Sequence, residues 1–224
     1  MARFTVLGTA PIPNQQGQLR LLSRNDEFTI KIAGIPGDLM NSRMHASEDA
    51  LATLACEKIK SQSKPQVLIG GLGMGFTLRS ALESLNKEAT VTVAELISEV
   101  VEWNKGELGK LTNYPVNDPR TKIHVGDVGE VLRSANSQFD AILLDVDNGP
   151  EGHTAEDNGW IYTPAGLKAA KSALRPGGIV AYWSAGIDSA FTTRLVKAGF
   201  KTKPVTVRAH TNGKGARHVI WLAW

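Results

Sequence analysis

Gln66-Val67-Leu68-Ile69-Gly70-Gly71-Leu72-Gly73-Met74-Gly75-Phe76-Thr77-Leu78 decides how the rest of this sequence is read. A short apolar run of β type enters a glycine-dense turn, and an amphipathic segment, FTLRSALESL, follows at once. Glycine lets a backbone turn sharply and approach a ligand closely, and the start of the following helix offers free N–H groups. Gly71, Gly73 and Gly75 are therefore candidate ligand-binding positions, the alternative being a purely structural turn. Phe76 stands where a dinucleotide fingerprint needs its third glycine, and no Lys followed by Ser or Thr completes a phosphate loop. A nucleoside without a pyrophosphate fits this loop better than NAD, FAD or a nucleoside triphosphate.

Towards the C-terminus the same alternation repeats. TVTVAE (90–95), TKIHVG (121–126), FDAILLD (139–145) and GGIVAYW (177–183) are apolar β runs, each separated from the next by a plausible helix, and this predicts a mainly parallel sheet with helices on both faces. KTKPVTVRAH (201–210) and ARHVIWLAW (216–224) flank a turn-rich stretch and predict a closing antiparallel hairpin. Towards the N-terminus, Leu19–Ser23 and Phe28–Ala33 read as a hairpin joined by the turn Arg24–Glu27, and a helix starting at Ser47 leads into the main unit. The fold class expected is α/β, with a small β-hairpin appendage over residues 1–44 and a Rossmann-like catalytic domain over 45–224.

Size and composition agree with one sizeable domain plus an appendage: 224 residues, 42% hydrophobic and 21% charged. The net charge of +3 is spread along the chain, which argues against nucleic acid as a partner. No apolar run is long enough to cross a bilayer, and MARFTVLGTAPIPNQQ lacks the layout of a secretory signal, so a cytoplasmic location is expected. The single Cys56 excludes an internal disulfide and a cysteine-based zinc cluster, and no metal is expected; its apolar helical surroundings predict a buried thiol.

Acidic residues at predicted strand ends supply the other candidates. Glu95 closes TVTVAE about twenty residues beyond the glycines, where a carboxylate can accept hydrogen bonds from both ribose hydroxyls. Asp127 either contacts the adenine amino group or caps the next helix. Asp145 ends an apolar strand at the edge where open α/β sheets place their chemistry, and is expected to be catalytic, with Asp147 beside it. Asp147 and Asn148 also read as turn formers before Gly149-Pro150, and Glu151–Trp160 as a lid. Asn148 and Trp160 are candidate acceptor-binding residues. Lys214, Arg217 and His218 read as a solvated basic turn, or as a cluster facing an anionic acceptor. Trp183, Trp221 and Trp224 read as packing, and Trp103, like Trp160, as a pocket wall.

VLIGGLGMGFTLRSAL, TVAELISEVVEWNKG, the Gly126-Asp127 pair, FDAILLDVDNGPEG and IYTPAGLKAAKSALRPGGIVAYW resemble the corresponding blocks of the spermidine synthase family, within the class I methyltransferase superfamily. The likeness runs from about Gln66 to Ser184. It implies a methyltransferase-type Rossmann-like fold, a homodimer, and a sulfonium nucleoside as donor. It also implies that Glu95 is the ribose ligand, Asp127 an adenine contact and Asp145 the catalytic aspartate, with His45 near the nucleoside. Two departures bear on the reaction. The family's glycine loop usually carries an Asp where this chain has Met74, and an Asp-Pro where this chain has Asn148-Gly149. Losing two acidic contacts argues against cationic amines, because these need carboxylate partners. The expectation is therefore S-adenosylmethionine as donor, in methyl transfer to a small, amine-bearing acceptor. The alternatives are aminopropyl transfer from decarboxylated S-adenosylmethionine, and a nucleoside-binding protein that has lost its chemistry.

Overall fold

The computed structural model describes residues 3–13, 17–146 and 158–224. Strands β1 (Thr5–Pro11), β2 (Gln18–Arg24), β3 (Glu27–Ile32) and β4 (Met40–Asn41) form an antiparallel sheet in that order. The expected hairpin is its centre, with a tighter turn than the sequence suggested: Arg24 pairs with Glu27, leaving Asn25 in the left-handed region at φ 55°. The two outer strands escape sequence reading for different reasons. β1 is an exposed edge strand that buries Ala10 alone, and its Gly8 is there to admit the Trp103 indole, since a Cβ would stand 2.5 Å from Nε1. β4 has two residues, too few for any pattern.

The rest of the chain runs α1 (Ala46–Lys58), β5 (Gln66–Gly70), α2 (Phe76–Ser84), β6 (Thr90–Glu95), α3 (Ser98–Lys105), α4 (Gly109–Thr112), β7 (Thr121–Val125), α5 (Val128–Ser134) and β8 (Phe139–Leu144). It continues with α6 (Pro164–Ala173), β9 (Leu174–Ser184), α7 (Ser189–Lys197), β10 (Thr202–Arg208) and β11 (Arg217–Ala223). The seven-stranded sheet has the order β10-β11-β9-β8-β5-β6-β7. Strands β5 to β9 are parallel, and the β10–β11 hairpin closes the sheet in antiparallel pairing, as the sequence predicts.

Alternation along β5 explains the helices on both faces. Val67 and Ile69 join the cluster that contains Leu51 of α1, Leu78 of α2 and Val100 of α3. Leu68 points the other way, into the cluster of Leu132, Leu167, Phe191 and the fully buried Trp221. Leu19, Leu21 and Ile30 of the small sheet belong to the first cluster, so the two sheets share one apolar core. Cys56 is 1% exposed and burial pushes its thiol up to about 12, which leaves it a packing residue. No described helix is long and apolar enough to cross a membrane.

The chain leaves central β5 for β6 and β7 on one side and returns through β8 to the other. The crevice beyond the carboxyl ends of β5 and β8 is thus a topological switch point, where open α/β sheets hold their ligands.

Candidate functional site

Every strand-end residue singled out in the described sequence lies at this one edge. The glycine turn follows β5, Glu95 ends β6, Asp127 lies two residues beyond β7, and Asp145 directly follows β8. Backbone hydrogen bonds fix the edge: Gly71 N–H donates to Ala94 O at 2.9 Å, and Asp145 N–H donates to Gly70 O at 2.9 Å. Gly71 has φ +87°, and a Cβ there would sit 2.3 Å from the Asp145 carbonyl oxygen. Only glycine lets the loop pass this close to the end of β8. Asn104 of α3 ties the loop down from the far side, donating to Gly73 O at 2.8 Å.

Glu95 is 8% exposed, and its two oxygens accept from Leu72 N–H at 2.8 Å and Ile97 N–H at 2.9 Å. Burial raises its carboxyl above the usual range, while the N–H donors around it, Leu72 foremost, oppose the shift. Gly73 and Leu96 N–H add to these two, so the carboxylate sits in a nest of backbone donors at the end of β6. Asp127 is the N-cap of α5: one oxygen accepts from Gly129 N–H at 2.8 Å, and the other is 3.2 Å from the Arg133 guanidinium. Of the two readings the sequence left open, the cap is visible in the structure, and Arg133 is an added partner that spacing did not suggest.

Beside the glycine loop lies a cavity of about 30 Å³, lined by Met40, Leu72, Met74 and Phe76 as apolar walls and by Asn41, Glu48, Thr77 and Asp145 as polar ones. Asp145 Oδ2 accepts from Thr77 Oγ1 at 2.7 Å in the first turn of α2, and burial raises its carboxyl to about 6. Glu48, in the first turn of α1, accepts from Ser47 Oγ at 2.6 Å. Burial first, and then the negative charge of Asp145, push Glu48 up to about 8. Among the described residues no Lys, Arg or His stands within ion-pair distance of either carboxylate. The nearby cation Arg79 is engaged by Asp49 instead, at 2.6 Å.

Glu48 is the residue that sequence reading missed. Ser47-Glu48-Asp49 reads as an ordinary acidic helix start, whereas the helix begins at Ala46 and the Ser47 hydroxyl does not cap it. The one signal in the sequence was Met74: a glycine loop that lacks an acid invites a search for one elsewhere.

Several expected neighbours stand apart from this cavity. His45 stacks on Phe76 at 4.4 Å and pairs with Asp49 at 2.7 Å, behind the cavity wall. Trp160, expected beside the acceptor, lies instead against Arg133, with the guanidinium 4.5 Å from its ring, and so sits on the Asp127 side. Trp103 packs against β1 rather than in a pocket. His218 leaves the basic turn altogether: it is partly buried, its Nδ1 is 2.9 Å from Ser47 Oγ, and Trp183 packs on its ring. Lys214 and Arg217 are exposed. Asp147, Asn148 and most of the expected lid, residues 151–157, lie outside the described residues.

The raised Glu48 carboxyl has a consequence for stability. The folded protein holds a proton that the unfolded chain, with an ordinary carboxyl near 4.5, releases. Stability is therefore full below about 4.5 and is lost as pH rises towards 8. Glu48→Gln is expected to stabilise the ligand-free protein by about 2 kcal/mol at pH 8, with the gain vanishing near pH 4.5. Thermal unfolding of both proteins across that range measures this, and a pH-independent difference would contradict it.

The family model for the spermine/spermidine synthase domain matches residues 44–194. A polyamine aminopropyltransferase of Nitrosomonas europaea is 33% identical over 115 residues, covering 51% of this chain and 34% of that protein. One from Korarchaeum cryptofilum is 29% identical over 136 residues, covering 60% and 40%. The matched segment is thus well under half the length of these curated relatives. A spermidine synthase structure from Thermotoga maritima superposes with a TM-score of 0.74 at 19% identity, covering 97% of this chain and 72% of that one. A second, a spermidine synthase in complex with a transition-state analogue, gives 0.72 at 19% identity, covering 97% and 71%. These relatives overturn the expectation of methyl transfer from intact S-adenosylmethionine. The inference from Met74 left out a residue: α1 brings Glu48 to the cavity, so a second acid stands there although the glycine loop supplies none. With the match spanning most of its length, the chain belongs to the spermine/spermidine synthase family.

Proposed function

We propose that this protein transfers an aminopropyl group from decarboxylated S-adenosylmethionine to a small amine acceptor. The observation that carries the reading is the pairing of two carboxyl groups, Asp145 and Glu48, on one apolar-walled cavity with no cationic partner among the described residues. Such a site repels the carboxylate of an intact methionine moiety and attracts an alkylammonium, whose methylenes suit Met40, Leu72, Met74 and Phe76. On the nucleoside side, Glu95 lies beside the backbone of the glycine loop, within the crevice where the ribose would rest, and Asp127 lies at the next strand end, on the side of the adenine.

In this reading the donor supplies a sulfonium-activated carbon. The acceptor nitrogen, as a neutral amine, attacks it; the C–N bond forms as the C–S bond breaks, and the bonding pair leaves on sulfur as a neutral thioether nucleoside. The nitrogen then carries an excess proton, and Asp145 is placed to take it. A carboxyl raised to about 6 lies close enough to neutrality to exchange that proton in turnover. Thr77 fixes the carboxylate, and the hydrogen bond from Asp145 N–H to Gly70 O holds its backbone against the glycine loop.

Incubation with decarboxylated S-adenosylmethionine and 1,4-diaminobutane, followed by mass spectrometry, tests the proposal. The expected result is 5′-methylthioadenosine together with an aminopropylated amine, and no methylated amine from intact S-adenosylmethionine. Methylated product, or no thioether nucleoside from either donor, would overturn it.

A further inference from the structure

Resting on that function, a second question is what fixes Glu48. Ser47 is 0% exposed in the first turn of α1, yet its hydroxyl caps nothing in its own helix. It lies between Glu48, at 2.6 Å, and His218 Nδ1, at 2.9 Å, which comes from β11 far along the chain. An ionised carboxylate only accepts hydrogen bonds. With Glu48 ionised, the Ser47 proton points at Glu48, and Ser47 in turn accepts from His218 Nδ1–H. The imidazole is held in the required place by Trp183, whose ring is 4.8 Å away and nearly perpendicular. Burial lowers its pKa, which favours a neutral ring that can still donate from Nδ1. The three residues thus form a directed chain that holds Glu48 at the cavity in the ionised form a bound cation calls for.

The charges around Glu48 are otherwise accounted for. Asp49, its neighbour on α1, is engaged by His45 and Arg79. From α2, Thr77 serves Asp145. Asp145 faces Glu48 across the cavity as a second negative charge. Two carboxylates facing one another without a cation are costly, and a cation bound between them removes the cost. The cavity, at about 30 Å³, is roomy enough for a group of water size and hence for an ammonium head group. Met74 contributes only thioether and methylenes from the glycine loop, so Glu48 is the second acid of the cavity.

We infer that Glu48 is the residue that binds a primary alkylammonium group beside Asp145, and that His218, acting through Ser47, is its positioning residue. The ammonium comes from one of two sources, the aminopropyl end of the donor or the amine acceptor. The chemistry is common to both.

Glu48→Gln, which keeps shape and removes charge, separates the sources. Donor affinity is measured by calorimetry with decarboxylated S-adenosylmethionine, and KM and kcat with 1,4-diaminobutane at saturating donor. A rise of ten-fold or more in donor Kd alone assigns Glu48 to the donor's aminopropyl nitrogen, and the same rise in diamine KM alone assigns it to the acceptor. Both quantities unchanged would overturn the inference while leaving aminopropyl transfer standing, whereas a wild-type protein that turns over no donor overturns both. For the positioning role, His218→Phe is expected to raise the affected constant by about the same factor with kcat changed less than two-fold. His218→Asn, whose amide can donate from the Nδ1 position, should recover most of it. Equal effects of Phe and Asn would overturn His218 as the positioning residue.

Discussion

Asp145→Asn is expected to lower kcat for aminopropyl transfer by roughly a hundred- to ten-thousand-fold, with a much smaller change in the Kd for the donor. The size of the effect follows from what the side chain is asked to do. As the amine attacks, its nitrogen turns positive and must shed a proton, and an Asn can neither counter that charge nor accept the proton. Donor binding should fall less than kcat because, in the proposed function, Glu95 and the glycine loop hold the nucleoside, and Thr77 can still hydrogen bond to the Asn carbonyl. Steady-state kinetics and a direct binding titration on the same preparation check the split. A variant that keeps its kcat would remove Asp145 from the chemistry and leave it as a residue that merely ends β8.

Gly71→Ala is expected to destabilise the fold strongly. The new Cβ would meet the carbonyl oxygen of Asp145 at 2.3 Å, and that oxygen cannot swing away because the same residue's N–H is bonded to Gly70 O. The φ of +87° adds strain for any side chain. We expect a loss of about 3 kcal/mol and a Tm lower by about 10 °C. Gly73→Ala is the useful contrast. Its Cβ would meet the Cε and Sδ of Met40 at 3.0 Å, a flexible chain end that can move, so the cost falls to about 1 kcal/mol from the left-handed backbone alone. Thermal unfolding of the two variants side by side measures the difference, and equal losses would show that the contact with Asp145 yields.

Much of the large sheet was legible because parallel strands buried on both faces leave continuous apolar runs. β5 and β6 begin and end where QVLIG and TVTVAE do. The strand-end candidates Glu95, Asp127 and Asp145 were legible for the same reason, since a strand that can be located has an end that can be located. Edge and packing relations were not. β1 hides its purpose in a glycine that accommodates Trp103, and β4 is two residues long. Glu48 and His218 were invisible because neither departs from its local pattern: one reads as an acidic helix start, the other as part of a basic turn. What makes them neighbours is the passage of α1 across β11, a contact between segments 171 residues apart at Ser47 and His218. The methyl-transfer expectation failed on this point, as it weighed the acid missing from the glycine loop without the acid that tertiary packing supplies.

The two sides of the crevice are written in different parts of the chain. The glycine turn, Glu95 and Asp127 all come from the β5-to-α5 stretch, whereas the opposite rim is assembled from β4, the first turn of α1 and, behind it, β11. A single exchange on α1 or β11 therefore alters the rim without disturbing the turn that follows β5. Residues 40–48 and 218 are thus the positions at which the rim can be recut while the glycine turn, Glu95 and Asp127 stay as they are.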